Sequence, residues 1–335
     1  MGAGLDQVWD AILAGAPAPV RELPGHPGGR PHFAATVPPQ LLDSVARNPR
    51  LRRSSNISLF AAAASLAALR EAGLDGAMGG KGGKIAVIFA VTDGGVIYTR
   101  KFYDQVVREN AGSPLLFPET VYNAPASHVA ALLGIDGISY TLVGDASAGL
   151  SALGLGVQLL ESGQVEHCLV AGAEEADWVL GEAYRQWRLA GSKAQIGSNR
   201  GALMADGAAA VVLSSHGRYR VRAVTGGVPF FRQSEAAESL RVSLKQLPGK
   251  TAPTLLISSA NGTFVDRAER EAVKSIYGEV PAIYPKASLG DPFGAGALMQ
   301  VICALQSLRR EPAGKILVPV IGLNHQAGAA LMTAE

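Results

Sequence analysis

Residues 139–153 run Ser-Tyr-Thr-Leu-Val-Gly-Asp-Ala-Ser-Ala-Gly-Leu-Ser-Ala-Leu and read as a buried strand turning sharply into an apolar helix. A nucleophile is usually displayed at such a turn, because the first turn of the helix offers free N–H groups and the positive end of the helix dipole. Within it, Asp145-Ala146-Ser147-Ala148-Gly149 is one glycine short of Gly-x-Ser-x-Gly. Asp291 and His325 follow downstream. Ser147 as nucleophile with His325 as base would support acyl transfer or hydrolysis. The absent first glycine counts against that reading, since a strained elbow favours glycine there. The simpler reading of Ser147 is a helix N-cap.

Other chemistry-bearing residues are sparse. The two cysteines, Cys168 and Cys303, each lie in an apolar run and read as buried reduced thiols. They are too few for a metal cluster or a disulfide scaffold. His128 lies on a predicted helix and His167 at a strand start, neither at metal spacing from a cysteine or carboxylate. No dinucleotide fingerprint, phosphate loop or zinc pattern occurs. Neither a cofactor nor a metal is expected.

Composition agrees with a large dry core: 48% of the 335 residues are hydrophobic and only 17% are charged. A formal net charge of +2 gives no general attraction to nucleic acid. No run reaches the roughly 18 apolar residues that a membrane span requires. The Ala-rich stretch 57–69 comes nearest, but Ser58 and Ser65 interrupt it and Arg70 and Glu71 close it. Met-Gly-Ala-Gly-Leu-Asp has neither a basic n-region nor an apolar h-region. A cytoplasmic protein is the expectation.

The elements that must position these residues alternate. Helices are predicted over 5–14, 39–47, 56–72, 96–110, 119–133 and 147–162, and strands over 84–91, 140–144, 167–172 and 208–214. Residues 15–37, rich in Pro and Gly, read as irregular. The same grammar then recurs: strands at 219–225, 254–259, 282–284, 315–321 and 329–332, with helices at 234–247, 266–277 and 294–309. Thr92-Asp93-Gly94-Gly95 after one strand is echoed by Ala260-Asn261-Gly262-Thr263 after another. The pattern predicts an α/β fold in two related halves, 1–216 and 217–335.

Several segments carry a resemblance. Pro114-Leu-Leu-Phe-Pro-Glu-Thr-Val-Tyr-Asn123-Ala-Pro-Ala-Ser-His128, Gly163-Gln-Val-Glu-His-Cys-Leu-Val-Ala-Gly172, Asp206-Gly-Ala-Ala-Ala-Val-Val-Leu213 and Lys286-Ala-Ser-Leu-Gly290 are similar to segments of β-ketoacyl synthases. The resemblance runs over nearly the whole chain. It implies a thiolase-like fold, two pseudo-duplicated α/β halves stacked as αβαβα layers. The family's opening apolar strand has no counterpart before Trp9, so an edge strand is expected to be missing.

The departures fall at the chemistry. Registered on Gly149, Leu150 and Ala152, Ala146 stands where the family has its cysteine. Asn261 and Asp291 stand where it has histidines, while Lys286 keeps the family's lysine. A methyl group cannot attack a thioester, and an ionised Asp291 would repel developing negative charge. The resemblance therefore implies a catalytically silent subunit similar to a chain-length factor of polyketide or fatty-acid systems. Such a subunit pairs with an active ketosynthase, or with itself, and shapes an acyl tunnel. Phe117, Asn123, His128 and Leu142 are the expected interface and tunnel residues. Arg47, Arg50, Arg52, Arg53 and Arg70 form either a solvated basic face or a contact for an acidic acyl carrier protein.

Overall fold

The computed structural model describes residues 4–25, 28–74, 84–191, 201–249 and 251–335. The first half contains α1 (Leu5–Leu13), β1 (Val20–Leu23), β2 (His32–Ala35), α2 (Asp43–Ala46), α3 (Asn56–Glu71), β3 (Ile85–Val91), α4 (Val96–Glu109), α5 (Ala124–Leu133), β4 (Ser139–Val143), α6 (Ala148–Glu161), β5 (His167–Glu174), α7 (Trp178–Gln186), β6 (Met204–Ala205) and β7 (Gly207–Ser214). The second contains β8 (Tyr219–Val224), β9 (Val228–Pro229), α8 (Ala236–Gln246), β10 (Leu255–Ile257), α9 (Phe264–Tyr277), β11 (Ala282–Ile283), α10 (Pro285–Leu289), α11 (Phe293–Arg310), β12 (Lys315–Ile321) and β13 (Gln326–Ala334).

These stack in five layers. α3 and α5 cover one face of the sheet β4-β3-β5-β7, and α6 and α11 cover the other. The far side of α6 and α11 meets the second sheet, β11-β10-β12-β13-β8, whose outer face carries α8 and α9. This arrangement explains the unbroken apolar run of β3, all seven of whose residues are buried. A strand covered by helices on both faces has no polar side to alternate with. The central core lies between the sheets, around Leu150, Leu153, Leu298 and Val318. Each of these leucines, fully buried, contributes on the order of 1.5–3 kcal/mol of transfer free energy. This is the thiolase-like αβαβα arrangement that the resemblance implied. Among the described residues, no helix is long and apolar enough to cross a membrane.

α6 and α11 cross closely at Gly149. A Cβ there would lie 2.9 Å from Cβ of Ala297 and 3.1 Å from the Gly294 carbonyl oxygen, so only glycine lets the two helix starts meet.

Four sequence expectations need correction. Residues 15–37 are not wholly irregular: β1 and β2 pair antiparallel, and β2 joins β6 in parallel. Both hairpin strands are only four residues long, too short to show a period. The helix expected over 119–133 begins at Ala124, after a single 3-10 turn at Phe117–Glu119, because Pro125 suits a first helical turn and not an interior one. α7 and α10, not expected, fill the segments before β6 and α11. Finally, the strand taken as buried, β4, is a sheet edge whose Tyr140 and Val143 are about half exposed, 48% and 53%.

Candidate functional site

The strand-to-helix turn forms as the sequence suggests, but its groups point elsewhere. Ala146 is buried, and its N–H donates to Asp145 Oδ1 at 2.8 Å. Asp145 Oδ2 accepts from the Gln326 N–H at 3.0 Å. The approach of the two segments is so close that a Cβ on Gly322 would lie 1.9 Å from that carboxylate. Burial pushes the Asp145 carboxyl up, against the opposing hydrogen bonds from the backbone of Ala146, Asn324 and Gln326; the nearby Asp291 charge adds to the rise.

Ser147 occupies the N-cap position of α6 but makes no capping hydrogen bond with its side chain. Its hydroxyl donates instead to Gln326 Oε1 at 2.8 Å, which corrects the N-cap reading. An amide oxygen is far too weak a base to take that proton, and His325 is engaged differently. The His325 ring packs on Phe230, with centroids 5.0 Å apart, and its carbonyl accepts from the Phe230 N–H. Its backbone sits at φ +75°, as a turn residue. The Ser147 hydroxyl and the His325 ring thus have separate partners.

Asn261 is brought to Lys286 and to Asp291, the latter 30 residues further along the chain. Asn261 Nδ2 donates to Asp291 Oδ2 at 2.7 Å. Lys286 Nζ lies 2.9 Å from Asp291 Oδ1, with both side chains almost fully buried. Asn261 Oδ1 accepts from the Thr263 hydroxyl at 2.7 Å. The loop itself is held by Asp266 Oδ1, which accepts from the N–H groups of Asn261 and Gly262. Asp291 Oδ1 also accepts from the Phe293 N–H. That contact matters because Phe293 has φ +37°, which bulky residues rarely adopt, and its ring is stacked on Tyr184 with centroids 5.1 Å apart.

Two further carboxylates, which the sequence reading missed, complete the polar centre. Glu174, at the end of β5, accepts from the N–H groups of Thr92, Asp93 and Gly294, tying β3, β5 and α11 together. Burial and the neighbouring Asp93 push its carboxyl well above the usual range, despite those hydrogen bonds. Asp93 is pushed up to about 7 by burial and by the charges of Asp145 and Asp291, and its Oδ2 has no partner among the described residues. The available signal was two adjacent acids, Glu174 and Glu175, closing a strand that is otherwise apolar after His167. Burial pushes the Cys168 thiol up to about 11 and the Cys303 thiol to about 12, so neither supplies a thiolate near neutrality. Among the described residues, no group of three or more His, Cys, Asp or Glu side chains is placed to hold a metal ion.

The expected interface residues fall on the segment around α5 and β4. Phe117 is exposed, Asn123 immediately precedes α5, and Leu142 is half-buried on the β4 edge. His128 is occupied by the nearly buried Glu119, Nε2 to Oε1 at 2.5 Å. Burial raises the Glu119 carboxyl, but hydrogen bonds from His128 and Ser55 outweigh it and hold the group below its usual value.

Comparison with known proteins agrees with this architecture. Residues 2–217 match the family model "Beta-ketoacyl synthase, N-terminal domain". A β-ketoacyl synthase from Burkholderia phymatum STM815 superposes with a TM-score of 0.84 at 15% identity, covering 99% of this chain and 96% of that one. The ishigamide ketosynthase/chain length factor structure gives 0.79 at 19% identity, covering 99% and 95%. A ketosynthase (ApeO) in complex with its chain length factor (ApeC), from Xenorhabdus doucetiae, gives 0.78 at 16% identity, covering 100% and 95%. At these identities the superpositions establish the fold, and the match over residues 2–217 establishes membership: this chain belongs to the β-ketoacyl synthase family.

Proposed function

We propose that this chain is a catalytically silent ketosynthase-like subunit that pairs with an active, cysteine-bearing ketosynthase and shapes its acyl or polyketide tunnel. One observation carries the reading. The groups around Asp291 pair with one another, and in this reading Ala146 stands at the nucleophile's place. Decarboxylative condensation needs a thiolate and donors aimed at a developing anion. Here Asn261 spends its N–H on Asp291, and Lys286 is neutralised by the same carboxylate.

Pairing through β4 is supported by its open edge and by the apolar side chains nearby: Leu115, Phe117, Val121 and Tyr122 are exposed alongside Tyr140 and Val143. Exposed apolar patches of this kind mark interaction surfaces. A ketosynthase and its chain length factor form one of the structurally similar complexes, and another joins a type II acyl-carrier protein to its ketosynthase. An acyl carrier protein is therefore the second partner we propose, with the exposed Arg47, Arg50, Arg52, Arg53 and Arg70 as its candidate contact. The proposed setting is the cytoplasm. The two halves, 1–216 and 217–335, act as one unit in this reading. The serine-enzyme alternative draws no support from the Ser147–Gln326 bond.

The test is co-expression with a cysteine-bearing ketosynthase, followed by intact-mass analysis of both chains after incubation with malonyl- and acyl-carrier protein. A stable complex with the acyl group on the partner alone is expected. An acyl adduct on this chain that disappears in Ser147→Ala would overturn the reading.

A further inference from the structure

A second group of chemistry-bearing side chains uses none of the residues around Asp291. It lies where the turn before α3 meets α5. His128 Nε2 is 2.5 Å from Glu119 Oε1. The other carboxylate oxygen accepts from the Ser55 N–H at 2.9 Å. Glu119 is 5% exposed, and those hydrogen bonds keep it ionised. In the neutral imidazole the proton therefore sits on Nε2, where it is donated to Glu119, and Nδ1 is left as the acceptor. The Ser54 hydroxyl stands 3.4 Å from that Nδ1 and 3.5 Å from Nε2.

Two successive turns set the hydroxyl in place. The Leu51 N–H donates to the Asn48 carbonyl, and the Ser54 N–H to the Leu51 carbonyl. Leu51 is fully buried against Val45 and Ala62, and the Arg50 guanidinium donates to the Ala131 carbonyl of α5. Ser54 and His128 are half-buried and open to solvent, with the buried Glu119 behind the ring. Ser54 also stands just before the N-terminal end of α3, a helix of 16 residues. Its first helical residues, Asn56 and Ile57, precede the first bond of the helix, from the Ser58 N–H to the Ser55 carbonyl. N–H groups at a helix start point out of that end and favour developing negative charge.

We propose that Ser54, His128 and Glu119 form a hydrolytic relay for small acyl esters, with Ser54 Oγ as nucleophile, His128 Nδ1 as base and Glu119 holding the ring. Attack forms the bond from Ser54 Oγ to the acyl carbon and breaks the ester C–O bond. The hydroxyl proton passes through Nδ1 to the leaving alcohol. Water then attacks, gives its proton to the same nitrogen, and releases the acid as the proton returns to Ser54. This division of roles works in any chain order. The 3.4 Å contact is long, as such contacts are before substrate binds. A half-exposed serine suits a short acyl group, since a long one gains its affinity from apolar burial. Ser147, whose hydroxyl meets only an amide oxygen, has no such base. The relay leaves no standing acyl group on the chain and is independent of the condensing centre.

The full chain is treated with a fluorophosphonate, which reacts with activated serines, and in parallel with p-nitrophenyl acetate over a range of pH. One phosphonyl group should appear by intact mass, map to Ser54 and be absent in Ser54→Ala, whereas Ser147→Ala should label at an unchanged rate. His128→Gln should slow labelling and ester hydrolysis by about a hundredfold or more and flatten the pH–rate profile. Glu119→Gln should slow both less and move the profile to lower pH, because an amide no longer stabilises the charged ring. Circular dichroism checks that each variant is folded. Labelling of the unaltered chain needs no variant, so it can sink the proposal by itself. Four results overturn it: no adduct on the unaltered chain, an adduct on another serine, a labelling rate that does not change with pH, or a folded His128→Gln that reacts as fast as the unaltered chain.

Discussion

Lys286 Nζ sits 2.9 Å from Asp291 Oδ1, and the two side chains are 1% and 3% exposed. The lysine is thereby spent on a buried acid. A buried pair of this kind does not guarantee extra stability, but removing one member strands a charge and typically costs about 3–5 kcal/mol. Lys286→Met should therefore lower the urea midpoint sharply, while Lys286→Met with Asp291→Asn should recover part of the loss. Equal destabilisation by the single and the double variant would mean that the pair is not the relevant unit.

Restoring the nucleophile alone should not restore chemistry. Ala146→Cys places a thiol at the helix start, yet Asn261 and Asp291 remain engaged with each other and with Lys286. No release of carbon dioxide from malonyl-carrier protein is expected. Turnover by this single variant would show that the site is open and that the pairing of Asn261, Asp291 and Lys286 does not block it.

Ser147→Ala should cost only about 1 kcal/mol, the net worth of one hydrogen bond to Gln326, and leave partner-dependent activity unchanged. Denaturant unfolding and product analysis with a ketosynthase check the two halves of this expectation. A large fall in product with an intact complex would return Ser147 to the chemistry.

Placing a charge on the β4 edge tests assembly. Leu142 is half-buried on that strand, and Leu142→Glu would bury an unpartnered carboxylate if another subunit covers it. Loss of the complex in size-exclusion chromatography is the expected result, with the separate chain still folded by circular dichroism although its melting temperature falls, because Leu142 also packs against the core between the sheets. Chain length made by the partner should shift when bulk changes on α5. A complex unaffected by Leu142→Glu would place the interface elsewhere.

Stability should fall as the solution becomes more basic. Asp93 has its folded-state pKa raised to about 7 from an ordinary 3.8, by burial first and then by Asp145 and Asp291. Its proton is held more tightly in the folded state, so its contribution is fully present below about pH 4 and is lost as pH rises through about 7. Glu174 is shifted in the same direction. Asp93→Asn should flatten the decline between pH 5 and 8 and stabilise the protein at pH 8 by on the order of 1–2 kcal/mol. Thermal melts across that range give the answer, and an unchanged slope would remove Asp93 as the source.

The sequence by itself determined what chemistry is possible. Side-chain identity is local: Ala146 has no lone pair, and the apolar runs around Cys168 and Cys303 already mark both thiols as buried. It also determined most of the layered architecture, because the unbroken apolar run of β3 and the alternation of strands with helices report directly which faces are covered. Four-residue strands such as β1 and β2 stayed illegible, being shorter than any period that could reveal them.

Tertiary structure decided the partners. The Ser147 hydroxyl turns to Gln326, 179 residues away, a choice that no local pattern encodes. Asp93 and Glu174 join the centre only because β3, β5 and the start of α11 converge there. The same composition that reads as a buried strand at 139–143 becomes an exposed edge, and β7 becomes a strand with one open side. Whether an apolar strand is covered depends on what lies beside it in the sheet, and pairing between segments distant in the chain carries no signature in either segment alone.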